Sequence, residues 1–133
     1  MNEQFSIPIR VYIEDTDAGR IVYYANYLKY LERARTEFMR TLGHDCSAVP
    51  DSDAMFVVTE VALKYLKPAV LYDMLLATVR IGRVRGATIE FFQTLLRNDE
   101  ILLEGTVRIA LVSQSDGRPK RLALALRRQL VSK

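Results

Sequence analysis

Hydrophobic and polar residues alternate with period two at the start of the chain, switch to helical spacing, then return to alternation in four successive runs. Phe5, Ile7, Ile9, Val11 and Ile13 fall on one face, which predicts a strand from Phe5 to Glu14. From Asn26 to Leu42, the residues Tyr27, Leu31, Ala34, Phe38 and Leu42 recur at spacings of three and four. Leu28, Tyr30 and Met39 widen that stripe, and the pattern predicts one long amphipathic helix. Asn26 is the expected N-cap and Gly43 the expected left-handed C-terminal cap. The opposite face carries Lys29, Glu32, Arg33, Glu37 and Arg40, with Arg33 and Glu37 placed to pair across one turn.

Four strands are expected next. Met55 to Leu66 places Val57, Thr59, Val61, Leu63 and Tyr65 on one face, and Met74 to Arg83 places Leu75, Ala77, Val79 and Ile81 together. Ala87 to Arg97 aligns Ile89, Phe91, Gln93 and Leu95, while Ile101 to Val112 aligns Ile101, Leu103, Gly105, Val107, Ile109 and Leu111. Arg85-Gly86 and Asn98-Asp99 have the composition of hairpin turns, Asp116-Gly117 marks another turn, and Lys67-Pro68 ends a strand. The pattern from Leu122 to Leu130 fits a strand or a short helix equally.

One helix followed by a run of short-connected strands predicts an α+β domain spanning residues 1–133, its antiparallel sheet curved around the helix. A length of 133 residues buries about 68% of the unfolded surface, enough for a real core. The second face of the strands also carries apolar residues (Phe56, Leu76, Phe92, Leu102, Ala110), so a second subunit is expected to cover it.

Composition narrows the setting. No apolar run approaches the roughly 20 residues that span a bilayer, and the N-terminal MNEQFSIPIR has neither a basic start nor an apolar stretch. That favours the cytoplasm, as does a single cysteine, Cys46. Net charge is +3, with clusters at Arg80, Arg83 and Arg85 and at Arg118, Lys120, Arg121, Arg127 and Arg128. These are either a solvated surface or a docking field for a phosphate-bearing or acidic partner. Nucleic acid is not expected, because the basic residues do not interleave with aromatics and no nucleic-acid motif occurs.

The remaining chemistry is concentrated. A zinc site needs about four ligands, and His44 and Cys46, two apart in a polar loop, supply neither that set nor a nucleophilic dyad. They read as a surface imidazole and a small buried thiol. No Gly-x-Ser-x-Gly elbow, P-loop or dinucleotide fingerprint is present. What is left is Glu14, Asp15 and Asp17, crowded around a Gly-containing turn just before the helix. They can simply make an Asx-type turn. Alternatively, a carboxylate beside unpaired helix N–H donors can serve acyl chemistry.

The segment Arg10-Val-Tyr-Ile-Glu-Asp-Thr-Asp-Ala-Gly-Arg-Ile-Val-Tyr-Tyr-Ala-Asn-Tyr-Leu, continuing through Glu32-Arg-Ala-Arg-Thr-Glu37, resembles the signature of hotdog-fold acyl-CoA thioesterases. The similarity is to the branch that holds the 4-hydroxybenzoyl-CoA thioesterases and, most closely, the Tol–Pal-associated acyl-CoA thioesterases. Phe56-Val-Val, Tyr65-Leu-Lys-Pro-Ala, Tyr72-Asp-Met-Leu and Arg85-Gly-Ala extend it over nearly the whole chain. The resemblance implies a hotdog fold and acyl-CoA hydrolysis in a setting of lipid metabolism, in the cytoplasm or at the periphery of the inner membrane.

It also implies that Asp17 is the catalytic carboxylate and that Tyr24 contributes its backbone N–H. Tyr24 agrees with the hydroxybenzoyl type and departs from the His common in the Tol–Pal type, while Ile13 stands where relatives often carry Tyr. Val57, Val58 and Thr59, with Arg83, Arg85 and Gly86, are the implied substrate groove at a subunit interface. No cofactor or metal is implied, since CoA belongs to the substrate. The implied partners are acyl-CoA, an acyl carrier protein, and further copies in a homodimer or a tetramer of dimers. Two other readings remain. One is a non-catalytic acyl-thioester or acyl-carrier-protein binding module attached to envelope machinery. The other, a hotdog dehydratase, is disfavoured because His44 lies beyond the helix end.

Overall fold

The computed structural model describes residues 4–44 and 53–132. In chain order these form β1 (Phe5–Arg10), a single 3-10 turn (Ile13–Asp15), α1 (Asn26–Thr41), β2 (Ala54–Tyr65), β3 (Met74–Arg85), β4 (Thr88–Arg97), β5 (Glu100–Ser113) and α2 (Leu124–Val131). The strands make one antiparallel sheet in the order β1-β3-β4-β5-β2. It is the α+β arrangement that the hotdog resemblance implies.

The helix lies on the sheet because both present matching apolar stripes. Tyr27, Tyr30, Leu31, Ala34, Phe38 and Met39 are buried against Leu75, Ala77 and Val79 of β3, Phe91 and Leu95 of β4, and Leu103 and Val107 of β5. Phe38 sits edge-on between Phe5 and Phe91, with ring centroids 5.7 and 6.2 Å away. Buried Gln93 of β4 ties the two layers, its amide donating to the Leu31 carbonyl at 3.0 Å while its oxygen accepts from Arg35 at 2.9 Å. Register shifts at Val58/Glu60, Ile81/Val84 and Leu95/Leu96 add local twist and bend the sheet. Gly105 is required by the close approach of β2, since a Cβ there would stand 2.6 Å from the Ala62 carbonyl oxygen.

Several expectations need correction. The first strand ends at Arg10, not Glu14, because Val11 leaves the ladder: its N–H donates to Asp73 O at 2.9 Å, and its carbonyl accepts Tyr72 N–H at 3.0 Å. Asp15 then captures Tyr12 N–H with its carboxylate at 2.9 Å, folding the 3-10 turn and leaving Ile13 70% exposed. Asn26 is the first helical residue, not the N-cap, which is Ala25. Glu37 pairs at 4.0 Å with Arg40 while Arg33 lies over the Tyr30 ring, so the expected Arg33–Glu37 pair does not form. The β3–β4 connection is Gly86-Ala87, one residue later than expected. His44 is partly buried and hydrogen-bonded to Gln129 at 2.9 Å, not a free surface imidazole. The ambiguous C-terminal segment is a helix, α2.

Other expectations hold. Gly43 takes φ +85°, with its N–H on the Arg40 carbonyl and the His44 N–H on Met39, closing the helix as a Schellman motif. Asn98 and Asp99 both adopt positive φ, 48° and 68°, as a two-residue type I′ hairpin requires. Cys46 lies outside the described residues.

Candidate active site

Residues 11–25 build the site between β1 and α1. A tight hairpin folds at Asp17, whose N–H donates to Ile21 O at 3.0 Å and whose carbonyl accepts Arg20 N–H at 2.9 Å. Arg20 sits at φ +64° in that turn, a left-handed position uncommon for a side-chain-bearing residue. The Asp17 carboxylate accepts the Gly19 N–H at 2.9 Å and is otherwise directed to solvent. Thr16 and Val22 bridge across the hairpin, and Ile21 bridges to Val70.

The chain then turns into the helix. Asn26 N–H donates to Tyr23 O at 2.8 Å, an i to i+3 turn with Tyr24 and Ala25 at its centre. The N–H and C=O of one trans peptide point in opposite directions. With the Tyr23 carbonyl drawn toward the helix, the N–H of Tyr24, in the same peptide, is directed away from it. Among the described residues, the N–H groups of Tyr24 and Ala25 have no acceptor. They are unpaired donors at the positive end of a 16-residue helix.

Asp15 holds this assembly from behind. Its carbonyl accepts both Tyr23 N–H at 3.1 Å and the Asn26 side-chain amide at 2.8 Å. Tyr27 fastens the second side, its phenol oxygen accepting Ala69 N–H at 3.0 Å while Val22 N–H donates to Ala69 O at 2.9 Å. Burial, partly offset by that Ala69 bond, pushes Tyr27's ionisation up. Tyr30 is fully buried, and burial together with the neighbouring Asp15 carboxylate keeps its proton on. Asn26→Ala should leave the strands intact but lower stability by about 1 kcal/mol. A calorimetric scan would read this as a fall of about 4 °C in thermal midpoint.

A cavity of about 260 Å³ opens beside the turn, lined by Ile21, Val22, Tyr24, Tyr27, Tyr65 and Lys67, with Leu66 and Pro68. Its wall is braced by an ion-pair network in which Arg97 bonds Asp73 at 2.7 Å and Glu100 at 3.1 Å, with Lys67 also on Glu100.

The remaining sequence-predicted residues lie elsewhere. Arg83 and Arg85 line a separate cavity of about 290 Å³ with Thr88, Glu90 and Arg108. Gly86 turns the adjoining hairpin at φ +49°. Val57, Val58 and Thr59 stand on β2, with β4 and β5 between them and the β3 arginines, and Thr59 Oγ1 donates to Arg108 O at 3.2 Å. Val58 is seven residues from Tyr65, about 23 Å along the strand. Within one chain, therefore, Asp17 and Tyr24 share the segment between β1 and α1, whereas this second group sits toward the far end of the sheet. The described residues contain no group of three or more His, Cys, Asp or Glu positioned to hold a metal. No described helix is long and apolar enough to cross a membrane.

A curved antiparallel sheet, one buried helix and a carboxylate turn at that helix's N-terminus define a hotdog-fold enzyme. Residues 19–104 match the model of the thioesterase superfamily. The chain is 42% identical over 120 residues to the acyl-CoA thioesterase YbgC of Haemophilus influenzae, covering 90% of this chain and 88% of that protein. It is 38% identical over 119 residues to the acyl-CoA thioester hydrolase YbgC of Escherichia coli, covering 89% of each. A probable thioesterase from Bartonella henselae superimposes with a TM-score of 0.85 at 34% identity, over 91% of this chain and 100% of that one. The chain belongs to the thioesterase superfamily, and its chemistry is thioester hydrolysis.

Proposed function

We propose that the protein hydrolyses acyl-CoA to the free acid and CoA, with Asp17 as the reacting carboxylate and the Tyr24 N–H as the oxyanion donor. The observation that carries this reading is the unpaired Tyr24 N–H, aimed away from the helix, in the same β1–α1 segment as the solvent-facing Asp17 carboxylate. The thioester oxygen would lie on that N–H, where a preorganised dipole stabilises developing negative charge. Asp17 either attacks the carbonyl carbon, expelling CoA thiolate and leaving a mixed anhydride that water opens, or takes a proton from an attacking water. Both routes need only water as co-reactant and no cofactor.

The groove is completed by a second copy. β2 is an edge strand whose residues 58–62 are exposed, with Val58 and Val61 51% and 40% accessible. Such an edge is a template for another strand. An antiparallel pairing of two β2 edges centred near Val61 sets the partner's Val58 opposite Lys64, next to Tyr65 and hence Tyr24. That pairing brings Val57, Val58 and Thr59 to a site they cannot reach within their own chain.

Arg83 and Arg85 are assigned to the phosphates of CoA, since neither is paired among the described residues and both border the same cavity. Release of free thiol from a panel of acyl-CoAs tests the activity, and absence of turnover across the panel rejects it. Replacing Arg83 and Arg85 together by Ala should raise KM for acyl-CoA about tenfold with kcat nearly unchanged. The difference should shrink as ionic strength rises, and an unchanged KM at low salt would remove both residues from the groove.

A further inference from the structure

We propose that Tyr65 is a positioning residue for this reaction, its hydroxyl clamping the peptide turn that presents the oxyanion donor. The inference rests on the hydrolytic reading of Asp17 and Tyr24 given above. Tyr65 is the last residue of β2, and its hydroxyl donates to the Tyr24 carbonyl at 3.0 Å across 41 positions of sequence. Among the described residues, no other side chain bonds to the Tyr24 backbone.

The geometry explains why one hydroxyl can matter. Tyr24 joins two peptide planes at its Cα. The preceding plane is held by Asn26 N–H on the Tyr23 carbonyl. The following plane, at the centre of the turn, is held among the described residues only by Tyr65. Because N–H and C=O oppose one another in that plane, drawing the Tyr24 carbonyl toward Tyr65 also aims the second unpaired donor, Ala25 N–H, the other way. With both planes fixed, rotation at Tyr24 is restricted and its N–H stays on one line. Releasing one plane lets the donor wander without undoing any element of the fold.

The phenol is equipped for this role. Its ring lies edge-on to Tyr27, centroids 5.4 Å apart, and Tyr27 is itself fixed to Ala69. Burial and the neighbouring Tyr24 phenol raise its ionisation, so it remains a donor. The ring also lines the 260 Å³ cavity that adjoins the turn, remote from the arginines at the other end of the sheet. Its influence therefore falls on the reacting end of the substrate rather than on the CoA tail.

Tyr65→Phe keeps the ring and deletes only the hydroxyl. The expected result is a fall in kcat of about tenfold, the scale of one hydrogen bond, with KM within twofold and the thermal midpoint lowered by no more than about 4 °C, the cost of that bond to stability. An unchanged kcat overturns the proposal, and so does a loss of kcat accompanied by a larger fall in midpoint, which would mark a merely structural residue. A second measurement follows the Tyr24 backbone amide by NMR while a non-hydrolysable thioether analogue of acyl-CoA is added. In the unsubstituted protein the Tyr24 signal should shift on binding, and in Tyr65→Phe it should be broadened and shift less. If it fails to respond in the unsubstituted protein, the donor role of Tyr24 falls and this inference with it. If it responds equally in both proteins, only the role of Tyr65 is lost.

Discussion

Asp17→Asn is expected to lower kcat for acyl-CoA hydrolysis by about a thousandfold, the range associated with a positioned base or nucleophile. The substitution is nearly isosteric. Asn can still accept the Gly19 N–H through its side-chain oxygen, so the 2.9 Å contact that shapes the turn persists. What disappears is the negative charge that, in the proposed mechanism, either attacks the carbonyl or takes the proton of water. KM should change little, because a neutral amide fills the same space. Asp15→Asn supplies the contrast. The Asp15 carboxylate is spent on Tyr12 N–H and its carbonyl supports Tyr23 and Asn26, so its role is to hold the turn. Its amide variant should retain kcat within about threefold while losing some stability. Equal activity of Asp17→Asn and the unsubstituted protein in a thiol-release assay would dismiss Asp17 as the reacting group.

The two halves of this site were not equally visible in the sequence. The helix was, because its apolar stripe extends over four turns and ends at a glycine whose conformation the cap demands. The strands were too, since their alternation reports a buried face. The first strand was overrun because alternation continues through Val11 and Ile13, while what stops it, the bonds of Val11 to Tyr72 and Asp73, joins residues some 60 positions apart. Asn26 failed for the same kind of reason. Its residue type suits an N-cap, but its amide is committed to Asp15, eleven residues back.

For the chemistry, spacing alone left Asp17 between turn former and reacting acid; the family resemblance supplied its proposed role and that of Tyr24. Tyr65 went unnoticed because an aromatic at the end of an alternating strand is what sheet propensity favours anyway. Nothing local in sequence distinguishes a tyrosine that clamps a peptide from one that packs. Val57 to Thr59 illustrate a further limit, since a single chain places them far from Asp17 and only an intersubunit pairing would reunite them.

The proposed oxyanion donor can be deleted without deleting the turn. Tyr24 occupies the second position of the turn closed by Asn26 N–H on Tyr23 O, and proline is favoured there because its ring presets the required φ. Its N–H donates to no described residue, so Tyr24→Pro sacrifices no internal hydrogen bond of that group. The Tyr24 carbonyl survives, and with it the contact from Tyr65. The side chain is 63% exposed and stacks loosely on Tyr23 at 4.9 Å, so Tyr24→Ala serves as the reference that removes the phenol but keeps the N–H. Tyr24→Ala should retain kcat within about fivefold, whereas Tyr24→Pro should fall about a hundredfold or more below it, the usual cost of one lost oxyanion donor. Matching circular dichroism and thermal midpoints for the two variants would confine the difference to the peptide N–H. If the proline and alanine variants turn over acyl-CoA at the same rate, the carbonyl oxygen is not held by this peptide, and the charge must be stabilised elsewhere.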